Sequence, residues 1–174
     1  MLTYKLIALD IGGVLALTNK TYYKNFNQDF FDNYFLLLQQ GLIKPEQISI
    51  DKLLFKNMIT AHANIRLLKS LKIPYVFASN INKIHWDKFI VEAKPCAYAL
   101  KYSALSYELG CLKPEKLFFK LLAKKNNIAL ENIIFIDDRE ENIQAALSLG
   151  AQAILCQSPE LLINILVSRK LINF

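Results

Sequence analysis

The sequence predicts a three-layer α/β fold, a parallel sheet with helices on both faces, carrying a small helical cap inserted after the first strand. Three observations lead there. Short apolar runs alternate with stretches of helical period. Several of those runs end in a carboxylate, a hydroxyl or an acidic pair and then in turn residues. Finally, 53% of the 174 residues are apolar, which is enough to fill one compact core and too much for a disordered or fibrous chain.

Tyr4 to Asp10 form the first strand, continuously apolar at its centre and closed by Gly12-Gly13. A second run, Ile73 to Ala78, ends at Ser79-Asn80, and a third, Ile133 to Ile136, ends at Asp137-Asp138. A fourth spans Ala151 to Cys156, and a further strand is expected near residues 99–103. Unbroken apolar strands mark a sheet buried on both faces. Helical spacing appears at Leu117, Phe118, Leu121 and Leu122 after Pro114-Glu115. It recurs at Ile143, Ala146, Leu147 and Leu149 before Gly150, and over residues 159–168 after Ser158.

Residues 18–70 break the alternation, because no strand is expected there. An aromatic stripe from Tyr22 to Leu38 has helical spacing and stops at Gly41 and Pro45. A second helix is expected from Asp51, with Leu54, Met58, Ala61, Ile65 and Leu68 on one face. The division is therefore a core of residues 1–17 and 66–174 and a cap of residues 18–65.

Apolar runs such as Leu161 to Val167 are far shorter than the roughly 20 residues a membrane-spanning helix needs. Asp10 and the glycine pair interrupt what would otherwise look like a leader. The expectation is a cytoplasmic protein. Cys96, Cys111 and Cys156 are odd in number and widely spaced, so reduced thiols are expected rather than a thiolate metal site. The net charge of +6 suits phosphorylated substrates. Without a basic cluster interleaved with aromatics, nucleic acid is not an expected partner. Nothing in the sequence speaks to oligomeric state.

Ligands of open parallel sheets bind beyond the carboxyl ends of the strands. Here three strand ends deliver Asp10, Ser79-Asn80 and Asp137-Asp138 to one edge. Each element alone is common at a turn, and their joint occurrence is not. Two adjacent carboxylates repel unless a cation lies between them, which points to a hard, oxygen-loving metal such as magnesium. Lys113, just before a helix, can bring an ammonium to the same edge. His85 and Trp86 follow the second strand end closely, either as pocket residues or as packing at the start of a helix.

The order of these motifs resembles the haloacid dehalogenase (HAD) superfamily. Asp10-Ile11-Gly12-Gly13-Val14-Leu15 looks like its first motif, Ser79-Asn80 its second, Lys113-Pro114 its third, and Ile136-Asp137-Asp138 with Asn142 its fourth. Residues 78–85 are most similar to the branch that contains bacterial alpha-glucose-1-phosphate phosphatases. The resemblance implies a HAD-like, Rossmann-like core and a magnesium (Mg2+)-dependent phosphatase acting on a small phosphorylated substrate. Asp10 would be the nucleophile, with Lys113 the second catalytic residue. Ser79, Asn80 and Lys113 would hold the phosphoryl group. Magnesium would sit on Asp10, the Gly12 carbonyl and Asp138, with Asp137 acting through water.

Gly12 departs from the pattern, since superfamily phosphatases usually carry a second Asp there as general acid. General acid–base catalysis is worth about 10²–10⁴ in rate. The alternatives are a phosphatase restricted to good leaving groups, one that borrows another acid, or a weak or inactive relative that binds ligand only. A dehalogenase also lacks that Asp, but generally lacks the acidic pair retained here. The insertion is short for a cap, which leaves any specific sugar unassigned.

Overall fold

A computed structural model describes residues 4–18, 36–43, 58–60 and 62–172. Its elements in chain order are β1 (Leu6–Leu9), β2 (Ala16–Thr18), β3 (Met58–Thr60), α1 (His62–Leu67), β4 (Tyr75–Ser79) and α2 (Lys83–Ala93). There follow α3 (Ala97–Tyr102), β5 (Ala104–Leu105), α4 (Ser106–Leu109) and α5 (Lys116–Asn126). The chain ends with β6 (Ile133–Asp137), α6 (Glu140–Ser148), β7 (Gln152–Leu155) and α7 (Leu162–Ser168).

Five strands form one parallel sheet in the order β5-β4-β1-β6-β7. β1 lies in the middle, and every residue of β1, β4 and β6 is buried. Alternate residues face opposite layers, as a strand's period of two requires. Ile7, Leu9 and Phe77 pack into one core with Trp86, Phe89, Leu162 and Leu166, while Leu6, Ala8, Val76 and Phe135 pack into the other with Phe118, Phe119 and Leu122. Edge-to-face rings rigidify both layers: Phe77 meets Phe89 at 5.1 Å and Trp86 at 5.8 Å, and Phe119 meets Phe135 at 5.2 Å. The fold is the expected Rossmann-like α/β arrangement.

Register sets the level of the site. Leu9 pairs with Phe77 on one side and Ile136 on the other, so Asp10 and Asp137 leave neighbouring strands at the same height.

Two expectations need correcting. The strand near residues 99–103 is instead α3, followed by the two-residue strand β5. Tyr98 and Tyr102, four residues apart and 4.7 Å between rings, pack as neighbours on a helix face. The Ser103 hydroxyl then donates to the Ala99 carbonyl at 2.6 Å as the helix ends. The second expected helix fails at Met58–Thr60, which is strand β3 paired antiparallel with β2. Cross-strand hydrogen bonding to Ala16–Thr18 overrides the local helical period there. The remainder of that helix before residue 58, and the aromatic stripe from Tyr22 through Phe35, lie outside the described residues. A helical turn over 36–39 coincides with the end of that stripe.

Among the described residues no helix is long and apolar enough to cross a membrane. The three cysteines are free, with Cys111 and Cys156 buried and Cys96 exposed.

Candidate active site

Asp10 is the first residue past β1. Its backbone N–H still bonds the Ile136 carbonyl at 2.9 Å, so its position is fixed by the sheet. The chain then turns tightly: Leu15 and Ala16 both donate to the Ile11 carbonyl, and Gly13 adopts φ +72°. Only glycine fits at position 13, because a Cβ there would overlap the Asp138 carboxylate. Gly12 has open space in the direction a side chain would take.

The Asp10 carboxylate accepts from the Ile11 N–H at 2.7 Å, and its Oδ1 lies 3.2 Å from Lys113 Nζ. The Ser79 hydroxyl also bonds to it. Burial pushes the Asp10 carboxyl up to about 6, partly offset by Lys113 and reinforced by Asp137 and Asp138. Lys113 Nζ donates to Asp137 Oδ2 as well, so one buried ammonium bridges two carboxylates. Burial alone would depress the Lys113 ammonium, yet the Asp10 and Asp137 charges hold its pKa above the ordinary value.

Asp137 has little capacity left. Its Oδ1 accepts from the Arg139 N–H at 3.0 Å and from Asn142 Nδ2 at 2.9 Å, while Oδ2 takes Lys113. Asp138 is different. Its carboxylate lines the cavity, and burial together with Asp137 raises its pKa. Carboxylate oxygens of Asp10, Asp137 and Asp138 all lie within 4.8 Å of one another. Three acids against one ammonium make an oxygen-only, electron-rich set, and that is the donor chemistry a hard divalent cation takes. The residues present therefore fit the magnesium expected from the sequence.

Asn80 performs a task the sequence did not reveal. Its Nδ2 donates to the Lys113 carbonyl and its Oδ1 accepts the Lys113 N–H, both at 2.8 Å. This two-point clasp fixes the backbone from which the bridging ammonium extends.

These groups border a cavity of about 480 Å³ walled by Asp10, Gly12, Gly13, Gln39, Asn80, Lys113, Asp138, Arg139, Asn142 and residues 157–160. Of the expected site residues, Ser79 and Asp137 are not in the wall. Both are buried beneath it, engaged with Asp10 and Lys113 respectively. His85 and Trp86 do not line it either. Trp86 packs on Phe77, and the His85 N–H is capped by Asn82 Oδ1 at 2.9 Å, so packing explains both. Sequence reasoning missed Gln39 and residues 157–160. The strand-end rule, carried to β7, would have found the latter, whereas nothing local marks Gln39.

Residues 110–159, from just before Lys113 through the acidic pair and β7, match the HAD-hydrolase-like family. A HAD family enzyme of Bacteroides thetaiotaomicron, solved as a magnesium complex, is similar over 88% of this chain and 93% of its own, at 26% identity and TM-score 0.70. The same enzyme solved with magnesium and inorganic phosphate superposes at TM-score 0.68, with 24% identity over 87% of this chain and 93% of its own. A HAD-like family hydrolase of Porphyromonas gingivalis shares the fold at TM-score 0.69 and 18% identity, over 88% of this chain and 91% of its own. The parallel sheet with its flanking helices, the strand-end motifs in their order and the matched family segment make the chain similar to HAD family hydrolases over most of its length.

Proposed function

We propose that the chain is a magnesium-dependent phosphomonoester hydrolase that works through an aspartyl phosphate on Asp10. The observation that carries the reading is the ammonium of Lys113 lying between Asp10 and Asp137, with Asp138 beside them on one cavity. A HAD family relative holding magnesium and inorganic phosphate supports it.

In the first step Asp10 attacks phosphorus. The new bond joins its carboxylate oxygen to phosphorus, and the bond to the leaving oxygen breaks with its electron pair. Lys113, held by the Asn80 clasp, neutralises phosphoryl charge from a fixed position, and such positioning supplies most of the acceleration in phosphoryl transfer. Ser79 and the Asn80 N–H complete the cradle. Asp10, the Gly12 carbonyl and Asp138 would hold magnesium, with Asp137 reached through water. When bound, the ion neutralises phosphoryl charge and orients the group for in-line attack.

Gly12 offers no proton, so the leaving oxygen must depart as a weak base or take its proton from solvent. The substrates are accordingly small phosphorylated metabolites with good leaving groups, a size in keeping with the cavity. The segment between β2 and β3 acts as the small cap, within the division of residues 1–17 and 66–174 as core and 18–65 as cap.

Purified protein with magnesium should hydrolyse p-nitrophenyl phosphate, and Asp10→Asn should abolish this without unfolding the chain. An Asp10→Asn protein as fast as the parent would overturn the assignment. Gly12 also favours a second reading, a HAD-like protein that binds phosphorylated ligand without turning it over. Tight phosphate binding with no turnover across a panel of phosphate esters would select it.

A further inference from the structure

We propose that Gln39 holds the water that hydrolyses the aspartyl phosphate, serving the half-reaction in which the carboxylate missing at Gly12 would otherwise act. The proposal rests on the phosphatase reading above.

Gln39 is far from the strand-end motifs in sequence but forms part of the same cavity wall as Asp10, Gly12 and Asn80. Its Nε2 donates to the Asn80 carbonyl at 2.9 Å. Asn80 belongs to the loop that would cradle the phosphoryl group, so the bond sets the Gln39 carboxamide beside that cradle. A planar amide fixed through its nitrogen has its carbonyl fixed too. Among the described residues no hydrogen bond is made to that carbonyl, Oε1.

The segment that delivers Gln39 is itself docked. Leu38 is buried at 2% exposure, and Gly41, at φ +69°, packs so closely on the Tyr107 carbonyl that a Cβ would collide with it. Gln40 and Gly41 donate back to Leu36 and Leu38, which closes the turn.

Several of the polar groups nearest Asp10 in the cavity wall have prior engagements. The Asn80 carboxamide is spent on the Lys113 backbone, and Lys113 and Arg139 are donors only. Asn142 Nδ2 is turned to Asp137, while its Oδ1 is buried without a hydrogen-bond partner among the described residues. Gly12 leaves empty the space that a side chain would occupy. A water there has room, and Oε1 is an acceptor that can take one of its protons in a hydrogen bond.

A neutral carboxamide orients water but does not accept its proton. The step therefore balances as follows. The water oxygen bonds to phosphorus, the phosphorus–Asp10 bond breaks, and its electron pair returns to the carboxylate. The water's proton passes to a phosphoryl oxygen, and inorganic phosphate leaves.

The test uses the purified protein with magnesium and p-nitrophenyl phosphate, following the p-nitrophenol burst and the acid-trapped phosphoenzyme. Two substitutions separate orientation from docking. Gln39→Lys keeps a donor for the Asn80 carbonyl and loses the acceptor, whereas Gln39→Glu keeps an acceptor and loses the donor. The expected result is an unchanged burst rate in Gln39→Lys with phosphoenzyme breakdown slowed by about 10- to 100-fold, the scale of a lost near-attack geometry. Gln39→Glu should break the phosphoenzyme down at least as fast as the parent. The reverse pattern, or equal breakdown in all three proteins, would overturn the role of Gln39 while leaving the phosphatase reading intact. A parent protein that forms no phosphoenzyme on Asp10 would instead remove the reading on which the proposal stands.

Discussion

Gly12→Asp is the substitution that most directly probes why this site lacks a general acid. The position accepts it sterically. A Cβ at Gly12 meets nothing within 4 Å, and the residue is not among the glycines held at positive φ. The new side chain would project into a cavity that Gly12 already lines. Its surroundings also suit an acid. Burial and neighbouring carboxylates raise the pKa of Asp10 and Asp138, and a carboxyl introduced at position 12 would enter the same cavity. Proton donation to the leaving oxygen is worth about 10²–10⁴ in rate, or roughly 3–5 kcal/mol of barrier, for a strongly basic alkoxide. For a nitrophenolate the gain should be within about tenfold, because little charge needs neutralising. The assay is kcat/KM with magnesium over a series of phosphate esters of graded leaving-group basicity. The parent should fall steeply along the series, and Gly12→Asp should flatten the slope by raising the alkyl end. Equal rates on aryl and alkyl esters in the parent would refute the reasoning, as would a folded Gly12→Asp protein with an unchanged slope.

Three further outcomes follow from the same geometry. In the metal-free protein the Asp10 carboxyl titrates at about 6 against an ordinary 3.8, with burial the main cause. Folding therefore binds its proton more tightly, and this stability is complete below pH 4 and lost as pH rises through 6, at most about 3 kcal/mol. Denaturation between pH 4 and 7 should show the loss without magnesium, and less of it with magnesium or in Asp10→Asn; a flat profile in the metal-free parent contradicts the burial argument. Gly13→Ala should cost roughly 1–2 kcal/mol from its left-handed backbone and displace the Asp138 carboxylate. Magnesium affinity, read by calorimetry, should then drop more than thermal stability does, and unchanged affinity would separate Asp138 from the metal. Phe77→Ala removes a fully buried ring that touches Tyr75, Trp86 and Phe89, so urea denaturation should show a loss of about 3–5 kcal/mol. A loss below about 1 kcal/mol would mean that the layer repacks around the gap.

Much of this was legible because parallel strands advertise themselves. Leu6–Leu9, Tyr75–Ser79 and Ile133–Asp137 are apolar on both faces and end at one edge, so Asp10, Ser79 and Asp137-Asp138 could be placed together from residue types alone. Contacts between distant segments were not legible. The β2–β3 pairing joins residues some forty positions apart and reverses the helical period around Met58. The Asn80 clasp on Lys113 spans 33 residues, and the Gln39 bond to Asn80 spans 41. Gln39 carries no local pattern that separates it from a surface residue, and Asn80, though placed at the strand end from the sequence, shows nothing there of its hold on Lys113. Tyr98 and Tyr102 show the converse error, since a short apolar run between turns has no period long enough to tell helix from strand.

The antiparallel ladder of β2 and β3 has a consequence for how this chain can diversify. Ala16 sits opposite Thr60 and Thr18 opposite Met58, so the polypeptide leaves the core and re-enters it through adjacent strands, as through the neck of a purse. Just inside, Asn64 Nδ2 ties the Val14 carbonyl at 2.9 Å to the Pro159 carbonyl at 2.6 Å, so the β1 and β7 loops are sewn together below the neck. Whatever the number of residues between Thr18 and Met58, the two ends meet at the same place. Each doubling of a flexible loop costs only about 0.6 kcal/mol in closure entropy. Away from the turn that docks Leu38 and Gln39 on the core, the length of chain between these strands can therefore change at little closure cost, while the acids and the lysine keep their positions.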